Sequence, residues 1–61
     1  MDWIKFNNIE ELPKDKCILV CNLTSIDYII YDLGHWRFCY SEETISINLL
    51  STYIKYFVPT L

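Results

Sequence analysis

Four side chains with the chemistry of metal ligands and nucleophiles stand in the middle of the chain: Cys17, Cys21, His35 and Cys39. Zinc gathers thiolate sulfur and imidazole nitrogen in a tight tetrahedron at about 2.0–2.3 Å. The spacing opposes that chemistry. Cys17 and Cys21 bracket the apolar run Ile18-Leu19-Val20, which reads as a strand, and residues four apart on a strand are separated by about 13 Å. The same distance separates His35 from Cys39. No metal and no cofactor is therefore expected, and the cysteines read as small core residues. Asp32, His35 and a cysteine also suggest a nucleophile with its base. That pair needs a water-shielded pocket, whereas His35 adjoins an exposed turn at Gly34 and so short a chain leaves little room for a pocket. His35 reads as a surface turn histidine, no catalytic residue is assigned, and the chain is read as non-enzymatic.

Two further patterns bear on nucleic acid. Glu10-Glu11 and Glu42-Glu43 could imitate phosphates, but eight acids against five bases is a mild excess. Both pairs read instead as helix-start charges. Tyr28, Trp36, Phe38 and Tyr40 could stack the bases of a single strand. A basic groove would have to accompany them, and Lys5, Lys14, Lys16, Arg37 and Lys55 are scattered in a chain of net charge −3, which disfavours phosphate contact. In so small a domain the aromatics read as core. A nucleic-acid-binding module using this aromatic hairpin is the alternative to a protein-binding one.

These residues must be positioned by a hairpin around Gly34, the only glycine. β-Branched and aromatic runs on either side of it are a hairpin signal. A two-residue loop at Leu33-Gly34 would force Leu33 to positive φ, which a side chain resists. A three-residue loop, Asp32-Leu33-Gly34, leaves only Gly34 left-handed. It pairs Tyr31 with His35, Ile30 with Trp36 and Tyr28 with Phe38. One face then collects Ile26, Tyr28, Ile30, Trp36, Phe38 and Tyr40, and the other carries Asp27, Ile29, Tyr31, His35, Arg37 and Cys39. The strand Cys17–Cys21 joins through a four-residue connection, Asn22-Leu23-Thr24-Ser25, with Leu19 opposite Tyr28 and Cys21 opposite Ile26. That adds Ile18 and Val20 to the second face. Ile18, Val20, Ile29, Tyr31 and Arg37 therefore form the candidate interface, since little chain remains to cover them. Pairing of two copies about a two-fold axis would bury an apolar patch that a monomer seldom exposes. The rival arrangement folds Ser41–Leu50 over this face and leaves a monomer.

The remaining segments fit one domain, 1–61. A chain of this length buries roughly 60% of its unfolded surface, and 52% hydrophobic with 16% aromatic residues is too apolar for disorder. Three cysteines are an odd number, and the start Met-Asp-Trp-Ile-Lys resembles no signal peptide, so a reduced, cytoplasmic chain is expected. No apolar run approaches the roughly 20 residues of a membrane span. Trp3–Phe6 reads as extended. Ile9–Leu12 reads as one turn capped by Asn8 and ended by Pro13. Ser41-Glu42-Glu43 has helix-start character, yet Thr44–Leu49 alternates like a strand, so a short helix within 42–50 is left open. Tyr53–Val58 reads as extended. The fold class is mainly β: a small twisted antiparallel sheet of three central strands, SH3-like or partly barrelled, with edge strands from the termini.

Trp3-Ile4, Glu11-Leu12-Pro13, the Leu19-Val20 strand, Tyr31-Asp32 with Gly34 and Trp36, and the ending Phe57-Val58-Pro59 resemble a family of small phage and prophage proteins classed as a domain of unknown function. Its members run Trp-Ile, Leu-Pro, a Val-Leu-Val strand, a Tyr-x-x-Gly-x-Trp hairpin and a final Thr-His-Trp-Met-Pro-Leu-Pro. The resemblance covers nearly the whole chain. Its ending departs, with Ile54-Lys55-Tyr56-Phe57-Val58-Pro59 where Thr-His-Trp-Met-Pro would stand. It implies a β-rich fold and a phage context and carries over no catalytic residue. Size, acidity and this resemblance lead to one expectation: a phage-encoded protein that binds and modulates or inhibits a host protein, such as a bacterial defence or transcription component, in the host cytoplasm and as a homodimer.

Overall fold

The aliphatic run β2 (Ile18–Cys21) and the β-branched, aromatic run β3 (Ile26–Asp32) pair antiparallel in the computed structural model, which describes residues 2–59. Ile18 lies opposite Ile29, Leu19 opposite Tyr28 and Cys21 opposite Ile26, as the four-residue connection predicts. Asn22 fixes that connection. Its Oδ1 accepts the backbone N–H groups of Thr24 and Ser25, both at 2.9 Å, a local substitute for backbone pairing that asparagine supplies readily. Cys21 and Ile26 are thereby held in register.

The next hairpin corrects the sequence reading. β4 (His35–Phe38) pairs with β3 so that Asp32 faces His35, Tyr31 faces Trp36 and Ile29 faces Phe38. The loop is the two residues Leu33-Gly34, with φ of +53° and +87°. Positive φ at both central positions marks a type I′ turn, whose twist matches that of the flanking strands. Holding a leucine left-handed costs about 1–2 kcal/mol. The one-residue shift in register returns more. It sends Trp36 and Phe38 to the face of Ile29 and Tyr31, and burying one large apolar side chain contributes about 1.5–3 kcal/mol. Trp36 is 5% exposed, whereas the three-residue loop would have placed His35 opposite Tyr31 and Arg37 opposite Ile29.

β5 (Lys55–Phe57) lies beside β2, and β1 (Ile4–Lys5) lies beside β5. The five-stranded antiparallel sheet has the order β1-β5-β2-β3-β4. The fold is thus mainly β, as expected. Of the two terminal segments only β1 is an edge; β5 is flanked on both sides. Among the described residues β1 and β4 do not pair, so the sheet stays open.

One face of the sheet carries the core. Ile18, Val20 and Ile29 are fully buried on it, so three of the five residues expected to form an open interface are sealed within the chain, and this face offers no ground for a dimer. The covering layer has two parts. Asn8 caps a 3₁₀ turn, Ile9–Glu11: its side chain accepts from the Glu10 N–H, while the Glu11 carboxylate accepts the Asn8 N–H at 3.1 Å, a reciprocal capping box. That turn delivers Leu12 to the core. Further on, Thr44 bridges to Arg37 and the Ile45 N–H donates to the Trp36 carbonyl at 2.9 Å. The helix α1 (Ile47–Leu50) follows, with Ser46 as its cap. Residues 42–50 are therefore extended first and helical after. Phe6, Leu12, Ile45, Leu50 and Tyr53 close the layer, and the Tyr53 hydroxyl donates to the Asp27 carboxylate. No helix among the described residues is long and apolar enough to cross a membrane.

Candidate functional site

Alternation along β4 sends His35 and Arg37 to the outer face of the sheet, opposite the core, with Cys39 following and Asp32 joining from β3. Together with Ser41 and Glu42 they line a cleft of about 400 Å³. Arg37 organises it. Its Nε donates to Asp32 Oδ2 at 3.1 Å, and its Nη1 donates to the carbonyls of Phe38 at 3.2 Å and Ser41 at 3.3 Å. The guanidinium thus ties β3 to the turn after β4.

The cleft collects the residues of the nucleophile–base pattern without assembling it. His35 and Cys39 remain four residues apart along one strand direction, about 13 Å. Asp32 is engaged by Arg37. Burial pushes the Cys39 thiol up to about 12, the neighbouring Cys17 thiol adds to the rise, and Arg37 opposes it. A thiol held protonated is a poor nucleophile and a poor metal ligand. All three cysteines are free thiols, and among the described residues no three His, Cys, Asp or Glu side chains converge as a metal site. The meeting of Cys17 and Cys39 on one face was missed by the sequence reading, because its three-residue loop put them on opposite faces.

The second concavity is of another kind. A cleft of about 430 Å³ opens between the 3₁₀ turn, the tip of the β3–β4 hairpin and α1. Its lining is mainly apolar, from Ile9, Tyr31, Trp36, Ile45, Ile47 and Leu50, with His35, Thr44 and Ser46 among its polar members. Tyr31 and Trp36 meet edge to face with centroids 5.3 Å apart, a favoured aromatic geometry. Its charged members are Lys14 and Glu10: Lys14 Nζ lies 4.8 Å above the Tyr31 ring and 3.4 Å from Glu10 Oε2. Ile47 is 61% exposed at this mouth. The sequence reading left this cleft out, expecting little room for any pocket. Its one legible signal was Ser46 ahead of Ile-Asn-Leu-Leu, a helix cap before apolar residues.

The expected interface residues are therefore dispersed. Ile18, Val20 and Ile29 are in the core, Tyr31 lines the apolar cleft and Arg37 organises the polar one. The expected aromatic platform is divided as well. Trp36 and Phe38 face inward, Tyr28 faces outward, and Tyr40, 74% exposed, stacks on Phe38 at 5.8 Å. The hairpin offers no single surface on which successive bases could stack.

Fold and surfaces together define a class: a small, mainly β protein with one covered sheet face, one bare one, and an apolar cleft beside the hairpin tip. Within that class, no family model, no curated protein and no solved structure matches the chain. The likeness to the small phage proteins rests on its short motifs alone.

Proposed function

We propose that this chain is a non-enzymatic, phage-encoded binding protein that docks on a host protein in the host cytoplasm and modulates or inhibits it, and that it acts as a two-fold homodimer. A bacterial defence or transcription component is the concrete form of the target. The observation that carries the reading is the apolar cleft with Ile47 standing exposed at its mouth. A pocket of a few hundred Å³ with an apolar lining and a few rim charges is the ordinary form of a binding site. Protein partners fill such pockets with one or two large anchoring side chains that dominate the binding energy. The phage context rests on the motif resemblance.

Tagged protein and its Ile47→Asp variant, passed over bacterial lysate, test this reading. Ile47 is exposed enough for the variant to fold. The expected result is one host protein retained by the wild type and lost with the variant. Equal retention by both would remove the cleft from the account. A salt-dependent shift of oligonucleotides, with no protein retained, would replace the reading with nucleic-acid binding.

A further inference from the structure

The outer face of the sheet is uncovered. The core residues and the covering layer all lie on the other side. On the bare face the register aligns Phe57, Leu19 and Tyr28 in one row across β5, β2 and β3, and Trp3 extends the row with its ring 5.9 Å from that of Phe57. Ile26, 64% exposed, and Tyr28, 37% exposed, stand in adjacent rows. A contiguous apolar sheet surface of this kind marks an interaction site.

Charge makes the face asymmetric. Lys5 and Lys55 lie directly opposite each other on β1 and β5, an arrangement of like charges that destabilises a sheet. Among the described residues neither enters an ion pair. Lys55 also pairs with Cys21, which pairs with Ile26, so both lysines sit at the end of the sheet where β3 begins. β4 runs antiparallel to β3 toward that end, with Phe38 opposite Ile29 and the Cys39 N–H donating to the Tyr28 carbonyl at 2.9 Å. The turn after it, closed by the Ser41 N–H donating to the Phe38 carbonyl at 3.2 Å, carries Glu42 into the cleft on the outer face. Basic and acidic groups thus occupy opposite edges at one end of the strands.

The geometry points to a second copy of this chain as the occupant of the bare face. A two-fold axis in the plane of contact and parallel to the strands exchanges the two edges and preserves the ends. It lays Lys5 and Lys55 of one copy against the acidic turn of the other, twice over, with the apolar rows between them. Two sheets packed face to face with nearly aligned strands are a standard arrangement. The area suffices: each partner in a standard interface contributes about 800 Å², under a fifth of the 4343 Å² surface of the chain, and the broad face of the molecule measures 29 × 27 Å. The charges set the orientation more than the affinity.

This inference rests on the homodimer reading and assigns it a face. Sedimentation equilibrium of the intact chain across micromolar concentrations should give twice the 7.3 kDa chain mass. Ile26→Asp should raise the dissociation constant at least tenfold. Lys55→Glu and Glu42→Lys should each weaken the dimer, and the two together should restore it. All three positions are exposed or at an edge, and circular dichroism confirms that each variant is folded. A monomer at every concentration would overturn both the homodimer and this face. A dimer indifferent to Ile26→Asp, and without rescue by the charge exchange, would keep the homodimer and overturn the face.

Discussion

Leu33 is the residue on which the hairpin turns. It holds φ of +53° and is 89% exposed, so it accepts backbone strain and returns no burial of its own. Asparagine tolerates the left-handed region, and Asn-Gly is the favoured type I′ pair. Leu33→Asn should therefore stabilise the protein by about 1 kcal/mol, the lower end of the left-handed penalty, and raise the melting temperature by about 4–8 °C. An unchanged or lower melting temperature would count against the turn. Gly34 is constrained differently: a Cβ there meets nothing within 4 Å, yet φ is +87°, so Gly34→Val should destabilise through the backbone alone. Cys39 supplies a pH dependence. Its thiol ionises near 9.0 when unfolded and near 12 when folded. Between those values the folded state keeps a proton that the unfolded state has lost. The corresponding stability is intact below pH 9 and declines as pH rises toward 12. Thermal melts between pH 8 and 10 should show a decline that Cys39→Ser reduces, the remainder coming from the Tyr28 and Tyr53 phenols, which burial also pushes up.

At the scale of elements, the connection between β2 and β3 is held by one side chain. Asn22 Oδ1 accepts two backbone N–H groups and the hydroxyls of Thr24 and Ser25, while its Nδ2 donates to Thr52 Oγ1 at 3.2 Å. It therefore also ties the central hairpin to the residues that follow α1. Asn22→Ala removes the partners of two turn amides, each worth about 0.5–1.5 kcal/mol, and should lower stability by about 1–3 kcal/mol. Chemical denaturation measures the loss. A Thr52→Ala variant, which removes the link to Asn22 and the hydroxyl's own bond to the Leu49 carbonyl at 2.7 Å but leaves the turn amides their partner, should lose less, and equal losses would show that the turn amides do not depend on Asn22.

The whole molecule is a sheet closed on one side by a thin layer. A domain of 61 residues has a stability of roughly 3–9 kcal/mol at ordinary values per residue. Leu50 is 1% exposed and brings α1 onto the sheet. Leu50→Ala should cost about 2–5 kcal/mol, a large share of that stability. A loss below about 1 kcal/mol in chemical denaturation would mean that the covering layer is dispensable. Val20→Lys and Ile29→Lys, which an open interface would tolerate, should instead unfold the chain, because both side chains are fully buried.

The sequence by itself determined what depends on neighbours in the chain. The runs that became β2, β3 and β5, the turn capped by Asn8 and the β2–β3 register all follow from local patterning and from turn chemistry a few residues long. Only the tertiary structure decided which face of the sheet is the core. That choice set the left-handed strain of one leucine against the burial of Trp36 and Phe38 beneath residues 44–53, and no local pattern contains the second quantity. The two clefts follow from the same choice. A one-residue shift on β4 moved Cys39, His35 and Arg37 to the outer face and brought Tyr31 together with Trp36. Residues whose chemistry was legible thus met neighbours that only the register, fixed by non-local packing, could assign.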